Sequence, residues 1–139
     1  MADVRQVTKA FAVASQIEVA DLADLQAAGF RHLINNRPDE EAPSGARAAD
    51  MKRAAEAVGL SYVHAPFVGR PSPEAIEAAA KASGPTVAYC RSGTRSITAW
   101  AMSQAKTGTM GADAIVEAAA DAGYNLAALK DALHQLGAR

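Results

Sequence analysis

Short apolar runs alternate along the chain with segments whose apolar residues recur every three or four positions, a rhythm that predicts strands alternating with helices. Residues 1–9 are polar and read as a frayed start or a first edge strand, while Phe11 and Val13 among small residues mark a strand leading to a turn at Ser15 and Gln16. Ser15 with Glu18 fits a capping box. The helix it predicts, over 18–28, places Val19, Leu22, Ala23 and Leu25 toward one side and stops at Gly29. Leu33 and Ile34 centre a strand over 30–36 that delivers a polar loop, Asn35-Asn36-Arg37-Pro38-Asp39-Glu40-Glu41. A helix over 46–58 carries Met51, Ala54, Ala55 and Val58 at helical spacing and closes at Gly59. A strand over 60–67 follows, with Tyr62 and His64 on one side and Ser61 and Val63 on the other, ended by Pro66.

After the loop at 68–71, Ser72 caps a helix with Pro73 in its first turn, running through Ile76 and Ala79 to Ser83-Gly84-Pro85. Residues 86–89 form the next strand, and 95–105 the next helix, with Ile97, Trp100 and Ala101 as its buried stripe. Helices over 112–122 and 126–136 complete the chain. The second starts after an Asn125 cap and carries an edge of Leu126, Leu129, Leu133 and Leu136. That edge suits packing on the sheet or on a second copy of the chain, as in a homodimer. The alternation predicts an α/β fold, a mostly parallel sheet of four to five strands flanked by helices.

Candidate chemistry is concentrated where the 86–89 strand breaks into Cys90-Arg91-Ser92-Gly93-Thr94-Arg95-Ser96. A turn between a strand end and a helix start points backbone N–H groups and the positive end of the helix dipole at one spot, which stabilises an anion. A lone cysteine is more often a small buried hydrophobe. Here two arginines, a glycine and three hydroxyls follow it within six residues, poor filling for a core and well suited to holding a thiolate beside an anion. Cys90 is therefore the candidate nucleophile and Arg95 the second catalytic residue. Arg91, Ser92, Gly93, Thr94 and Ser96 form the substrate cradle. Asn36, Arg37 and Asp39 join as candidates because ligands gather at the carboxyl ends of parallel strands.

CRSGTRS resembles the active loop of rhodanese-type sulfurtransferases. The layout of the chain resembles a bacterial family related to the cysteine phosphatases, found as single domains or fused to a metallo-β-lactamase-fold partner in the beta-lactamase hydrolase-like proteins. The resemblance is carried by residues 27–41, AAGFRHLINNRPDEE, by 62–67, YVHAPF, and by 84–96, GPTVAYCRSGTRS, and it spans roughly 10–105. It implies a cysteine-phosphatase-like fold and cysteine-based chemistry on a small anion: thiosulfate, a persulfide or a phosphate ester.

Length and charge narrow the picture. With 139 residues, half of them apolar, one domain over 1–139 is expected. A net charge of −1, with acids and bases interspersed, offers no footprint for nucleic acid or an anionic membrane. No stretch approaches about 18 consecutive apolar residues, and the start lacks a cationic head with an apolar run, so a cytoplasmic protein is expected. One cysteine forms no internal disulfide, and His32, His64 and His134 lack paired ligand spacing. No metal or other cofactor is expected; any metal would belong to a fused partner.

Two features order the reactions. Four residues separate Cys90 from Arg95, as in the rhodanese-type loop, where the phosphatases of this resemblance usually have five. Those phosphatases also place an aspartate acid on a neighbouring loop, whereas the loop from Pro66 to Pro73 contains no acid at all. Sulfite leaves as an anion without such an acid. A sulfurtransferase forming a Cys90 persulfide is expected first and a cysteine phosphatase second. A redox-sensing or anion-binding module, or a partner of a persulfide-processing enzyme, is the third reading.

Overall fold

The computed structural model describes residues 2–139. Five strands form one sheet: β1 (Val4–Gln6), β2 (Phe11–Ala14), β3 (His32–Asn35), β4 (Ser61–His64) and β5 (Thr86–Tyr89). Their order is β1-β2-β5-β3-β4, with β1 antiparallel to β2 and every other pairing parallel. The helices are α1 (Leu22–Ala27), α2 (Ala48–Ala57), α3 (Pro73–Lys81), α4 (Thr94–Thr107), α5 (Ala112–Asp121) and α6 (Lys130–Leu136). This is the expected α/β architecture, a mostly parallel sheet flanked by helices.

Strand periodicity divides the core. On β2, Ala12 and Ala14 join Leu33, Val87 and Tyr89 under α1 and α2, where Leu22, Leu25, Met51 and Ala55 cover them. Phe11 and Val13 face the opposite way, with Ile34, Ala88, Ile97, Trp100, Ile115 and Leu133 on the side of α3 to α6. Side chains that alternate between two apolar layers explain why β2 and β5 read as continuous apolar runs. Trp100 is core, 1% exposed and stacked on Phe11 with ring centroids 6.3 Å apart.

Three expectations are corrected. Ser15 caps no helix; its hydroxyl accepts the Asp3 N–H at 2.9 Å, tying β1 to the end of β2. The capping box lies one turn later, between Glu18 and Asp21. It opens a 3-10 turn at Val19–Asp21 that leaves Val19 44% exposed, and Ala23 is exposed too. Finally, the leucine edge packs on neighbouring helices and not on the sheet. After a 3-10 turn at Ala127–Leu129, α6 packs on α4 and α5, which bury Leu133 within the chain. Ser72 does cap α3, its Oγ accepting the Ala75 N–H at 3.2 Å, and Asn125 Oδ1 accepts the Ala127 N–H at 3.0 Å.

The topology puts one strand end at the centre. The chain runs from β2 to β3 and leaves a gap between them, which β5 later fills. The loops after β2, β3 and β5 therefore converge at the carboxyl edge, the crevice where parallel α/β sheets hold ligands.

Candidate active site

Cys90 follows β5 and is 1% exposed, and its Sγ accepts the Gly93 N–H at 3.1 Å. Gly93 occupies the N-cap of α4 with φ +94°, a left-handed conformation that completes the four-residue turn, 90–93, from strand to helix. The first backbone bond of α4 runs from Ile97 N–H to the Gly93 carbonyl at 2.9 Å. The N–H groups of Thr94, Arg95 and Ser96 precede it and have no helical acceptor, so they remain as anion donors at the positive end of a 14-residue helix. Ser92 and Thr94 are exposed, their hydroxyls 3.1 Å apart, and the exposed Arg91 accepts the Gln16 N–H on its carbonyl at 3.3 Å.

Arg95, the second residue of α4, is held from outside the loop. Its Nη1 donates to the Phe67 carbonyl at 3.2 Å and to Glu41 Oε2 at 3.3 Å, and its Nη2 donates to Glu41 Oε1 at 2.6 Å. Those contacts use both Nη1 hydrogens and one on Nη2. Among the described residues nothing accepts from Nε–H or the second Nη2–H, which form the adjacent side of the fork. Arg95 is thus anchored by one edge and open along another, suited to gripping two oxygens of a tetrahedral anion.

Glu41 is a site residue that the sequence did not single out. The Arg95 hydrogen bonds hold its carboxyl below the ordinary glutamate range against the opposing effect of burial, and the charges of Arg95, Arg37 and Arg91 add to the shift. Arg37 approaches it with Nε 3.7 Å from Glu41 Oε1, and donates from Nη1 to Gln16 Oε1 at 2.8 Å. A carboxyl lowered on folding contributes stability above its unfolded pKa, and that contribution disappears as pH falls through the folded value. Glu41→Gln is therefore expected to melt below the native chain at neutral pH and to converge on it as pH falls from the ordinary glutamate range through the lowered folded value. With the Glu41 side chain 36% exposed, the gap is about 1 kcal/mol or less. Melting curves of both proteins from pH 7 downward measure it.

The three candidates on the β3 loop part company. Asn36 is 1% exposed; its Oδ1 accepts the Ser96 hydroxyl at 2.8 Å and its Nδ2 donates to the Ala65 carbonyl at 3.0 Å. Asn36 and the Ser96 hydroxyl thus tie α4 to the loops after β3 and β4, and neither side-chain group is left for a ligand. Arg37 stands beside Glu41, its carbonyl accepting from His64 Nε2 at 2.8 Å, which gives His64 a structural place. Asp39 does not join the cluster. Its Oδ1 accepts the Ala48 N–H at 2.8 Å at the start of α2. Among the described residues, no three His, Cys, Asp or Glu side chains group closely enough to hold a metal ion, and no helix is long and apolar enough to cross a membrane.

Residues 3–107 match the family model of the beta-lactamase hydrolase-like protein, phosphatase-like domain. A beta-lactamase hydrolase-like protein of Agrobacterium fabrum is 33% identical over 128 residues, covering 88% of this chain and 30% of that protein. The chain spans 26–30% of the length of the curated relatives it matches. Among solved structures, a candidate phosphatase from Neisseria meningitidis is 29% identical, with a TM-score of 0.76 over 95% of this chain and 96% of that one. Kinase-associated phosphatase, 13% identical, shares the fold with a TM-score of 0.72 over 97% and 92% of the two chains. The chain belongs to the phosphatase-like domain family of the beta-lactamase hydrolase-like proteins.

Proposed function

We propose that the protein is a sulfurtransferase that carries sulfane sulfur on Cys90. The Cys90 thiolate attacks the outer sulfur of thiosulfate. The S–S bond of the donor breaks, sulfite departs with the bonding pair, and a Cys90 persulfide remains. A thiol or cyanide acceptor then takes the outer sulfur, and the persulfide bond returns its electron pair to Cys90. Arg95 grips the sulfonate oxygens with its open side, and the N–H groups of Thr94, Arg95 and Ser96 line the same cradle. Arg91 and Arg37 add positive potential at the mouth, and the exposed Ser92 and Thr94 hydroxyls shape its rim.

One observation carries the choice of reaction. The carboxylate against Arg95 is Glu41, which Arg95 keeps ionised, so it holds no proton for a leaving alkoxide. Asp39 caps α2, and the segment 66–71 beside Arg95 contains no acid. Sulfite requires no proton to leave. The comparisons support a second reading more directly, phosphate-ester hydrolysis through a phosphocysteine, because the family model and the Neisseria structure carry the phosphatase description. A fused or separate persulfide-processing enzyme is the acceptor class that fits the first reading.

Intact-protein mass after incubation with thiosulfate separates the two. Gain of one sulfur atom, removed by cyanide, is the expected result. No gain, together with vanadate-sensitive hydrolysis of an aryl phosphate, would replace sulfur transfer by phosphatase activity.

A further inference from the structure

The Gly93 N–H that reaches Cys90 Sγ belongs to the peptide unit joining Ser92 to Gly93. The carbonyl at the other end of that unit accepts the Tyr124 hydroxyl at 2.9 Å. Because a peptide unit is planar and trans, fixing its carbonyl also fixes its N–H. We propose that Tyr124 is a positioning residue for the nucleophile, its hydroxyl pinning the Ser92–Gly93 peptide so that the N–H stays on the Cys90 sulfur. The inference rests on Cys90 being the nucleophile of the proposed reaction.

The pin has a specific task. Gly93 at φ +94° lacks the side chain that confines other residues, so rotation of the peptide about its flanking bonds meets little steric resistance from Gly93 itself. A rotated peptide would present its carbonyl dipole to the sulfur and repel both a thiolate and an incoming anion. Tyr124 also fills the space beside Gly93, and a Cβ added there would collide with the Tyr124 hydroxyl. Burial raises the Tyr124 phenol above its ordinary range against the opposing charge of Arg5, and the nearby Cys90 sulfur adds to the rise, so the hydroxyl keeps its proton and remains a donor.

Tyr124 is placed firmly enough to act this way. It follows Gly123, which ends α5 with φ +97°, and its N–H donates to the Ala119 carbonyl at 2.8 Å. Arg5 on β1 donates from Nη1 to the Ala122 carbonyl at 3.2 Å, tying the turn to the sheet edge. The next residue, Asn125, accepts the Ala127 N–H on its Oδ1 at 3.0 Å where the following 3-10 turn begins. Tyr124 lies beyond residue 107, where the family match ends.

The test is Tyr124→Phe, which deletes one oxygen, read by the rate at which iodoacetamide alkylates Cys90 at pH 7 and by amide hydrogen exchange. Alkylation reports the sulfur itself whichever group the enzyme transfers. The expected result is alkylation slowed about fivefold, the effect of one lost hydrogen bond. Faster exchange of the Gly93 amide should accompany it, with the β2 and β5 amides unchanged. Alkylation at the native rate would overturn the inference, and so would slowing accompanied by general opening of β2 and β5, which would make the hydroxyl a support of the fold alone. If thiosulfate adds no sulfur to the native chain yet Tyr124→Phe slows alkylation as expected, sulfur transfer fails and the positioning role stands.

Discussion

Cys90→Ser is expected to abolish transfer of sulfur from thiosulfate to cyanide, lowering the rate at least about 10⁴-fold, the scale on which removing a nucleophile acts. The hydroxyl is of similar size and sits where the Gly93 N–H can still donate to it. Neither an ion pair nor a large apolar contact is removed, so the melting temperature should move by no more than about 4 °C. The serine variant should gain no mass with thiosulfate. Its binding of sulfite or thiosulfate should survive within roughly tenfold, because the helix N–H groups and Arg95 remain. Substantial thiosulfate–cyanide turnover by the serine variant would remove Cys90 from the mechanism and with it the persulfide. Loss of binding in parallel with turnover would show that the sulfur itself completes the cradle.

The parts of this site that were legible in sequence are those that local backbone chemistry imposes. A strand ending at Tyr89, a glycine needed for a left-handed turn at Gly93 and a helix beginning at Thr94 lie within six residues, so the pattern 86–96 was sufficient to locate Cys90 and the cradle. Asn36 and Arg37 were reachable through topology, since the end of a parallel strand adjacent to β5 must lie at the same edge. The same topology could not choose among Asp39, Glu40 and Glu41. That choice depends on how the loop between β3 and α2, residues 36–47, folds back, and the structure gives Asp39 to the start of α2 and Glu41 to Arg95, 54 positions away. Tyr124 was illegible for a similar reason. In sequence it is one residue between a glycine stop and an asparagine cap, and only the packing of α5 against α4 brings it to Ser92. The misplaced capping box shows the limit of local patterns as well: Ser15 with Glu18 has the right spacing, but pairing of β1 with β2 offers Ser15 the Asp3 N–H instead.

Arg95→Lys is expected to reduce kcat/KM for thiosulfate about 100- to 1,000-fold, as removal of a preorganised oxyanion donor does elsewhere. The loss follows from the way the fork is divided. Glu41 and the Phe67 carbonyl hold one part of the guanidinium, and the Nε and Nη2 hydrogens on the adjacent side are left for two substrate oxygens. A lysine ammonium has three donors at a single point; it can stay with Glu41 or turn to the substrate, and it cannot hold both in one plane. The charge is retained, so any loss measures geometry. Donor binding and reaction should both suffer, because the oxygens gripped in the donor are those that leave with sulfite. Pairing the change with Glu41→Gln tests the division directly. Freed from its carboxylate, the ammonium has one fewer competitor and should recover part of the binding loss, seen as a lower KM, while kcat stays depressed. If Arg95→Lys retains kcat/KM within about threefold, planar recognition by Arg95 is absent and the helix N–H groups alone hold the anion.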